Sequence, residues 1–413
     1  MRVLFVAQLY PPDGGAASAR TWEFATRLAA KGHAITVLAG RPSYPAGVVA
    51  PQYRRRLFVR EQADGVDTIR CWSLPGRRTS TLGTMASLLS FPLTAWLAAG
   101  NAGRFDVVVA TSPSLLVIYP ALRAARRSGC PLLLDVRDVW PGVLVQAEML
   151  RDGSPGHRAL QRVERKCYRD ADRVAVVTAG KLQLLTEAGV PPEKLVLLPN
   201  GANTDLCSPD GGPPPDWPEV APEGAFVVTY AGYYAGAQGL TYITEAARLL
   251  QDDPAVLFLM VGEGRERPRL EQLSGEMGLR NVRFLGERPR GEIPGILRAS
   301  GAALVPLRNA ALSDSVPSKL FEAMACGVPV ILCAAGEAAD LVRESGAGIV
   351  VAPGDAAGLA QAVRDLAASP QMRAEMGRRG REFVVAHYNR ASIADRLEAI
   401  LLEMTAAPKA PQS

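Results

Sequence analysis

Short apolar runs recur along this chain, each followed by a segment of helical spacing, and the whole alternation occurs twice in series. R-V-L-F-V-A at 2–7 opens the first series, which continues with strand-like runs at 34–39, 66–71, 106–111, 132–136, 173–178 and 195–198. Helical segments at 18–31, 115–127 and 159–168 lie between them. The second series has strand-like runs at 226–231, 256–261, 282–285, 302–306, 328–332 and 348–352, with helices at 241–250, 268–277, 293–299 and 319–325. Strands that alternate with helices pair in parallel, and two such series predict an α/β fold with two Rossmann-like, doubly wound domains. A chain of 413 residues also exceeds what one hydrophobic core usually fills. The expected divisions are 1–199 and 200–385, with the Pro/Gly-rich stretch 200–224 as linker. A helix at 386–404 is expected to pack back on the first domain, and 405–413 to form a disordered tail.

The net charge of +5 hides an asymmetry: residues 1–200 carry 26 Lys+Arg against 15 Asp+Glu, and residues 201–413 carry 20 against 26. Arginine clusters at 54–56 with Arg60, at 77–78 and at 123–127 make the first half a candidate for an anionic lipid surface or a phosphorylated substrate. Nucleic acid is not expected, because no aromatic-rich basic strand accompanies them. Six scattered cysteines without a CxxC pair predict buried thiols rather than a disulfide framework or zinc site, and three distant histidines argue against a histidine metal centre. Met1 leads directly into a core strand, not a secretory leader, so a cytoplasmic location is expected. Residues 82–100 carry no charge over a near-spanning length, but Pro92 interrupts them. They read as one or two half-buried helices that dip into a membrane surface or, alternatively, as ordinary core.

One stretch carries chemistry. S-D-S-V-P-S-K-L-F-E-A-M-A-C-G-V-P-V at 313–330 reads as a short helix between a loop and a buried strand. Lys319 in the first turn and Glu322 one turn later share a face. A helix N-terminus offers open N–H groups and the positive dipole end, which suits a phosphate; Lys319 adds a full charge, and Glu322 suits a pair of sugar hydroxyls. The alternative is an ordinary amphipathic helix with a solvated ion pair. Near the N-terminus, Gly14 and Gly15 follow the first strand and permit close approach to a ligand, although they do not spell the dinucleotide fingerprint GxGxxG. Asp170 and Asp172 match a metal-binding D-x-D string but fall between a helix and a strand, where a surface loop is expected.

Taken together, P-P-D-G-G-A at 11–16, L-D-V-R-D-V-W-P at 134–141, P-N-G-A-N at 199–203, Y-A-G-Y-Y-A-G-A-Q-G-L at 230–240, M-V-G-E-G at 260–264, F-L-G-E-R-P-R-G-E-I-P at 284–294 and V-P-S-K-L-F-E-A-M-A-C-G-V-P-V at 316–330 resemble the family-4 retaining glycosyltransferases. More narrowly, they are similar to the L-fucosamine transferase-like branch that builds bacterial surface polysaccharides such as O-antigen. The resemblance implies the GT-B architecture, two Rossmann-like domains facing a central cleft, and retaining, metal-independent transfer of a hexose from a nucleotide-sugar donor, with a UDP-sugar favoured and no cofactor. It implies donor contacts at Gly14, Gly15, Gly232, Gln238, Gly262, Glu263, Arg288, Ser318, Lys319, Leu320 and Glu322, with Asp314 in the place of the family's first acidic residue near the donor sugar. Where the family commonly has an Arg and a Lys to neutralise the diphosphate, this chain has Tyr233 or Tyr234 and Gln238, which transfers that work to Lys319.

Many members carry a His where this chain has Arg137, so an acceptor-side role passes to Asp135 and Asp138. Asp138 is the candidate for contacting or deprotonating the acceptor hydroxyl; Asp135 either joins it or caps the same turn. The expected catalytic set is therefore Asp138, Lys319 and Asp314. The expected acceptor is a polyprenyl-diphosphate-linked glycan at the inner face of the cell membrane, with the protein held there peripherally. Two other functions share these features: a nucleotide-sugar epimerase of GT-B shape, and a non-catalytic sugar-nucleotide-binding protein.

Overall fold

A computed structural model describes residues 1–43, 47–75, 81–112, 114–146, 150–234, 239–307 and 313–406. The chain divides into two compact units, Met1–Pro199 with Ala391–Ser413, and Asn200–Arg390. The second unit thus runs past the expected boundary at 385, to Arg390.

The first unit contains β1 (Arg2–Ala7), β2 (Ala34–Gly40), β3 (Phe58–Ala63), β4 (Val66–Cys71), β5 (Val107–Thr111), β6 (Leu132–Val136), β7 (Arg173–Val176) and β8 (Leu195–Leu197). They form one sheet in the order β3-β4-β2-β1-β5-β6-β7-β8. All neighbours are parallel except the β3–β4 hairpin. The central strands are apolar on both faces because helices cover both sides: Val107, Val108, Val109 and Ala110 are all buried. The helix Arg390–Ala406 belongs to this unit's core, where Ile393, Leu397 and Leu401 join Val3, Phe5 and Val37. It extends two residues into the expected tail at 405–413, of which 407–413 lie outside the described residues.

Strand β3 was not expected. Its turn is a two-residue hairpin in which Asp64 and Gly65 both take positive φ, 53° and 75°, between the paired Ala63 and Val66. That is the geometry for which Asp-Gly is the preferred dipeptide. The uncharged stretch at 82–100 forms a single helix, Thr81–Ala99, continuous through Pro92.

The second unit contains β9 (Phe226–Ala231), β10 (Val256–Val261), β11 (Val282–Gly286), β12 (Ala302–Pro306), β13 (Val330–Cys333) and β14 (Gly348–Val351), all parallel, in the order β11-β10-β9-β12-β13-β14. The reversal between β9 and β12 is the topological switch point, beyond whose carboxyl ends ligands bind in sheets of this kind. Two further helices, Glu337–Ser345 and Ala356–Ala368, flank β14 in sequence. The stretch 200–224 is not a loose linker: Ala202, Thr204, Cys207 and Val220 are buried. Its carbonyls are claimed by arginines: Arg390 donates to Asn200 and Gly201, Arg381 to Thr204 and Cys207, Arg298 to Ser208 and Gly212, and Arg283 to Glu219 and Val220. Satisfying those backbone groups is what lets a Pro- and Gly-rich segment pack.

Candidate active site

In the second unit the helix Ser318–Ala325 is anchored by Leu320, Phe321, Ala323, Met324 and Ala325, all at most 2% exposed. Arg381 closes its far end by donating to the Ala325 carbonyl. Pro317, extended at φ −65° and ψ 136°, is the N-cap, and no side chain caps the first turn. The helix therefore presents backbone donors and its positive dipole end at the side where Ser318 and Lys319 begin it.

Lys319 reaches back over β9. Its ammonium lies 4.2 Å from the centroid of the Tyr230 ring. Tyr230 has no solvent exposure, donates its hydroxyl to the Tyr233 carbonyl at 2.8 Å and meets Tyr234 edge-on at 5.6 Å. A side chain on Gly232, whose φ is 155°, would place its Cβ 2.8 Å from the Lys319 Nζ, so only glycine leaves the lysine its position. Burial pushes the Lys319 pKa down to about 7, opposed by a smaller upward pull from the Glu322 carboxylate. This is a cation over a π face beside a helix N-terminus, a setting that favours an incoming anion.

Glu322, one turn along, is half-buried, and Arg290 faces it at 3.9 Å. Arg288, expected among the donor contacts, pairs with Asp216 at 2.5 Å and Glu292 at 3.4 Å. Gly262 sits where a Cβ would lie 2.0 Å from the Gly232 carbonyl, and Gly264 similarly abuts the Tyr234 backbone. Their visible work is to let the loops after β9 and β10 cross, with the Tyr234 amide donating to the Glu263 carbonyl at 2.9 Å. The Glu263 side chain is exposed and pairs with Arg267. Asp314 lies in the segment just before the helix, braced by the Glu337 amide donating to the Ser313 carbonyl at 2.8 Å. Gln238 lies outside the described residues.

In the first unit Gly14 caps the helix Gly15–Ala30 without a side-chain bond, and both glycines reach solvent. Asp135, at the end of β6, does not cap the following turn. It is buried and accepts from Arg20 at 3.1 and 3.3 Å and from the Thr111 hydroxyl at 3.0 Å. Arg20, 1% exposed, also donates to the carbonyls of Leu198 and Pro199. Asp135 is thus a structural ion-pair partner rather than an open acid. Arg137 and Asp138 follow it, both half-exposed, with the Arg137 amide donating to the Ser112 hydroxyl at 2.8 Å. Of the D-x-D string, Asp170 pairs with Lys166 and Arg169, and Asp172 accepts from the Leu132 amide at 2.7 Å. The six cysteines are buried free thiols.

Two residues of these sites escaped sequence reasoning: Tyr230 and Arg20. Arg20 had a signal, since an arginine among Ala19, Phe24, Ala25 and Leu28 on a helix's apolar face needs a buried acid. Tyr230 had none, as its role depends on which helix crosses β9.

Residues 15–201 match the family described as Glycosyl transferase 4-like domain, and residues 216–383 match Glycosyl transferases group 1. The chain is 31% identical over 275 residues to a Pseudomonas aeruginosa protein named as the glycosyltransferase WbjE, spanning 64% of this chain and 67% of that one. It is 26% identical over 358 residues to an Escherichia coli K12 protein named as the colanic acid biosynthesis glycosyl transferase WcaI, spanning 81% of this chain and 83% of that one. Among solved structures, sucrose-phosphate synthase from Thermosynechococcus elongatus superposes with a TM-score of 0.75 at 21% identity, covering 99% of this chain and 100% of that one. HepE from Anabaena, solved in complex with UDP-glucose, superposes with a TM-score of 0.70 at 19% identity, covering 98% and 100%. The chain belongs to the group 1, family-4 glycosyltransferases, with the GT-B fold of two Rossmann-like parallel-sheet domains.

Proposed function

We propose that this protein transfers a hexose, with retention of anomeric configuration, from a UDP-sugar to a polyprenyl-diphosphate-linked glycan during surface-polysaccharide assembly. The observation that carries the reading is the Lys319 ammonium over the Tyr230 ring at an uncapped helix N-terminus, one turn from the Glu322 carboxylate. That pairing matches a diphosphate beside a ribose: cation and helix amides for the first, a carboxylate acceptor for the second. HepE was solved with UDP-glucose, and the E. coli relative is named for colanic acid biosynthesis, which supports a nucleotide-sugar donor and a surface glycan. The basic first half supports an acceptor carrying phosphate and lipid.

In this mechanism the bond between the anomeric carbon and the diphosphate oxygen breaks, its electron pair leaves with the nucleoside diphosphate, and the acceptor oxygen bonds to the same face of the sugar. The acceptor proton is released, to Asp138 or to the departing phosphate oxygen. Lys319 and the amides of Ser318 and Leu320 stabilise the charge that develops on the leaving group, which is the largest lever available to such a site. Gly14 and Gly15 enter this reading as further amide donors, Asp314 as a contact to the donor sugar, and Glu322 as the ribose acceptor with Arg290 beside it. The residues presented at the donor need no metal ion for charge neutralisation.

A thermal-shift screen of UDP-, GDP- and dTDP-sugars tests the donor, since a ligand bound only by the native state raises Tm by mass action. A rise with UDP-sugars and release of UDP on adding acceptor are expected; no shift with any nucleotide sugar would overturn the reading.

A further inference from the structure

The helix Thr81–Ala99 has two faces. Phe91, Thr94, Ala95, Ala98 and Ala99 turn inward and are buried in the first unit's core. The outward face is also apolar: Leu89, Leu93, Trp96 and Leu97 are 55%, 65%, 43% and 44% exposed. Spaced at i, i+4, i+7 and i+8, they form one stripe along the helix. Leu74, itself 39% exposed, is tied to the same helix by its amide donating to the Ser90 hydroxyl at 2.9 Å. An ordinary solvated helix scatters such residues; a contiguous row marks a surface with a use.

The helix packed beside the stripe, Ile118–Ser128, carries arginines and no acid. Arg123 lays its guanidinium 3.6 Å from the Trp96 ring centroid and donates to the Trp96 carbonyl at 2.8 Å. Arg126 and Arg127 stand exposed in the last turn of the same flanking helix, Ile118–Ser128. Between Thr68 and Leu134 the sequence holds a single acid, Asp106, and that one is paired with Arg2 at 2.9 Å. An apolar ridge bordered by unneutralised arginines complements the interface of an anionic bilayer, where acyl chains receive the leucines and headgroup phosphates receive the guanidinium groups. No helix among the described residues is long and apolar enough to cross a membrane, and this one has a face committed to the protein core.

We propose that the outward stripe Leu89–Leu93–Trp96–Leu97, with Arg123, Arg126 and Arg127, is the surface by which the protein lies on an anionic lipid bilayer. The assignment rests on the reading of a lipid-linked acceptor and gives that reading a location. An interfacial helix of this kind binds in the plane of the membrane and responds to both salt and lipid charge.

Co-sedimentation with vesicles of phosphatidylglycerol and phosphatidylethanolamine, against vesicles of phosphatidylcholine alone, tests it. The protein is expected to pellet with the anionic vesicles at low salt and to lose on the order of tenfold in binding at high salt or on neutral vesicles. The pair Leu89→Ser and Leu93→Ser, and separately Arg126→Ser and Arg127→Ser, should each weaken anionic-vesicle binding about tenfold or more with Tm unchanged. Absence of binding by the unaltered protein, or binding by either variant as strong as that of the unaltered protein, would overturn the assignment. So would a concentration-dependent dimer abolished by the leucine variant, which would make the stripe a contact between copies. The UDP-sugar thermal shift on the same preparations reads the transfer proposal separately: a donor shift without vesicle binding removes this surface alone, and vesicle binding without a donor shift removes the transfer reading.

Discussion

The Lys319 ammonium stands 4.2 Å from the centre of the Tyr230 ring, and Tyr230 is itself fixed by donating its hydroxyl to the Tyr233 carbonyl. The ring face thus fixes where the lysine ammonium stands. Cation–π contacts of this enclosed type contribute about 1–2 kcal/mol. Tyr230→Leu should therefore weaken UDP-sugar binding by roughly tenfold, whereas Tyr230→Phe, which keeps the ring, should lose about threefold at most. Titration calorimetry on the two variants checks this, and equal affinities for both would remove the ring's role.

The same enclosure makes donor binding depend on pH. Burial lowers the Lys319 pKa from 10.5 to about 7, and a bound diphosphate favours the charged form, so binding takes up a proton above about pH 7. Affinity for a UDP-sugar, whose diphosphate does not titrate in this range, should fall as pH rises from 7 to 9. Lys319→Arg, charged throughout, should flatten the profile. For the empty protein the sign is the reverse. The unfolded chain holds the proton up to about 10.5, so this group's contribution makes the fold more stable as pH rises from about 7 toward that value. Calorimetry in buffers of different ionisation enthalpy reads the proton uptake directly.

Glu322 should separate binding from stability. Its contact with Arg290, at 3.9 Å between partly exposed side chains, contributes about 0–1 kcal/mol. Glu322→Gln should leave Tm within about 2 °C while weakening UDP-sugar binding by about tenfold or more, through loss of a charged acceptor to ribose hydroxyls. A thermal melt with and without UDP-sugar measures both quantities in one experiment.

Asp135 should behave oppositely. Removing one partner of the buried Arg20–Asp135 pair strands a charge, at a cost of about 3–5 kcal/mol. Asp135→Ala and Arg20→Ala should each lower Tm substantially, and the double variant should cost less than the sum of the two. Chemical denaturation of the three variants checks the coupling.

How much of this was legible beforehand varies with the physics involved. Runs such as Val107–Thr111 and Val256–Val261 are apolar on both faces, and that pattern alone places them in a covered parallel sheet. Strand β3, F-V-R-E-Q-A, was missed because it is an edge: with one neighbour and an exposed face it tolerates Arg60, Glu61 and Gln62, and its charge disguised it as a basic cluster. The Asp64-Gly65 turn was the available signal. Lys319 and Glu322 were readable because their relation is local, one helical turn. Tyr230 and the claim of Arg20 on Asp135 arise from packing between elements distant in sequence, which no spacing rule reports. The pairing of Arg288, a donor contact by resemblance, with Asp216 from 72 residues away is likewise a contact between distant elements.

The central claim is that Lys319 stabilises the departing diphosphate. Single-turnover transfer by Lys319→Met, a substitution of similar shape that should fold normally, measures this most directly. Loss of a preorganised charge of this kind predicts a rate about 100- to 1,000-fold lower with Tm equal to or above that of the unaltered protein. Transfer within about threefold of the unaltered rate, on a variant that binds UDP-sugar normally, would contradict it.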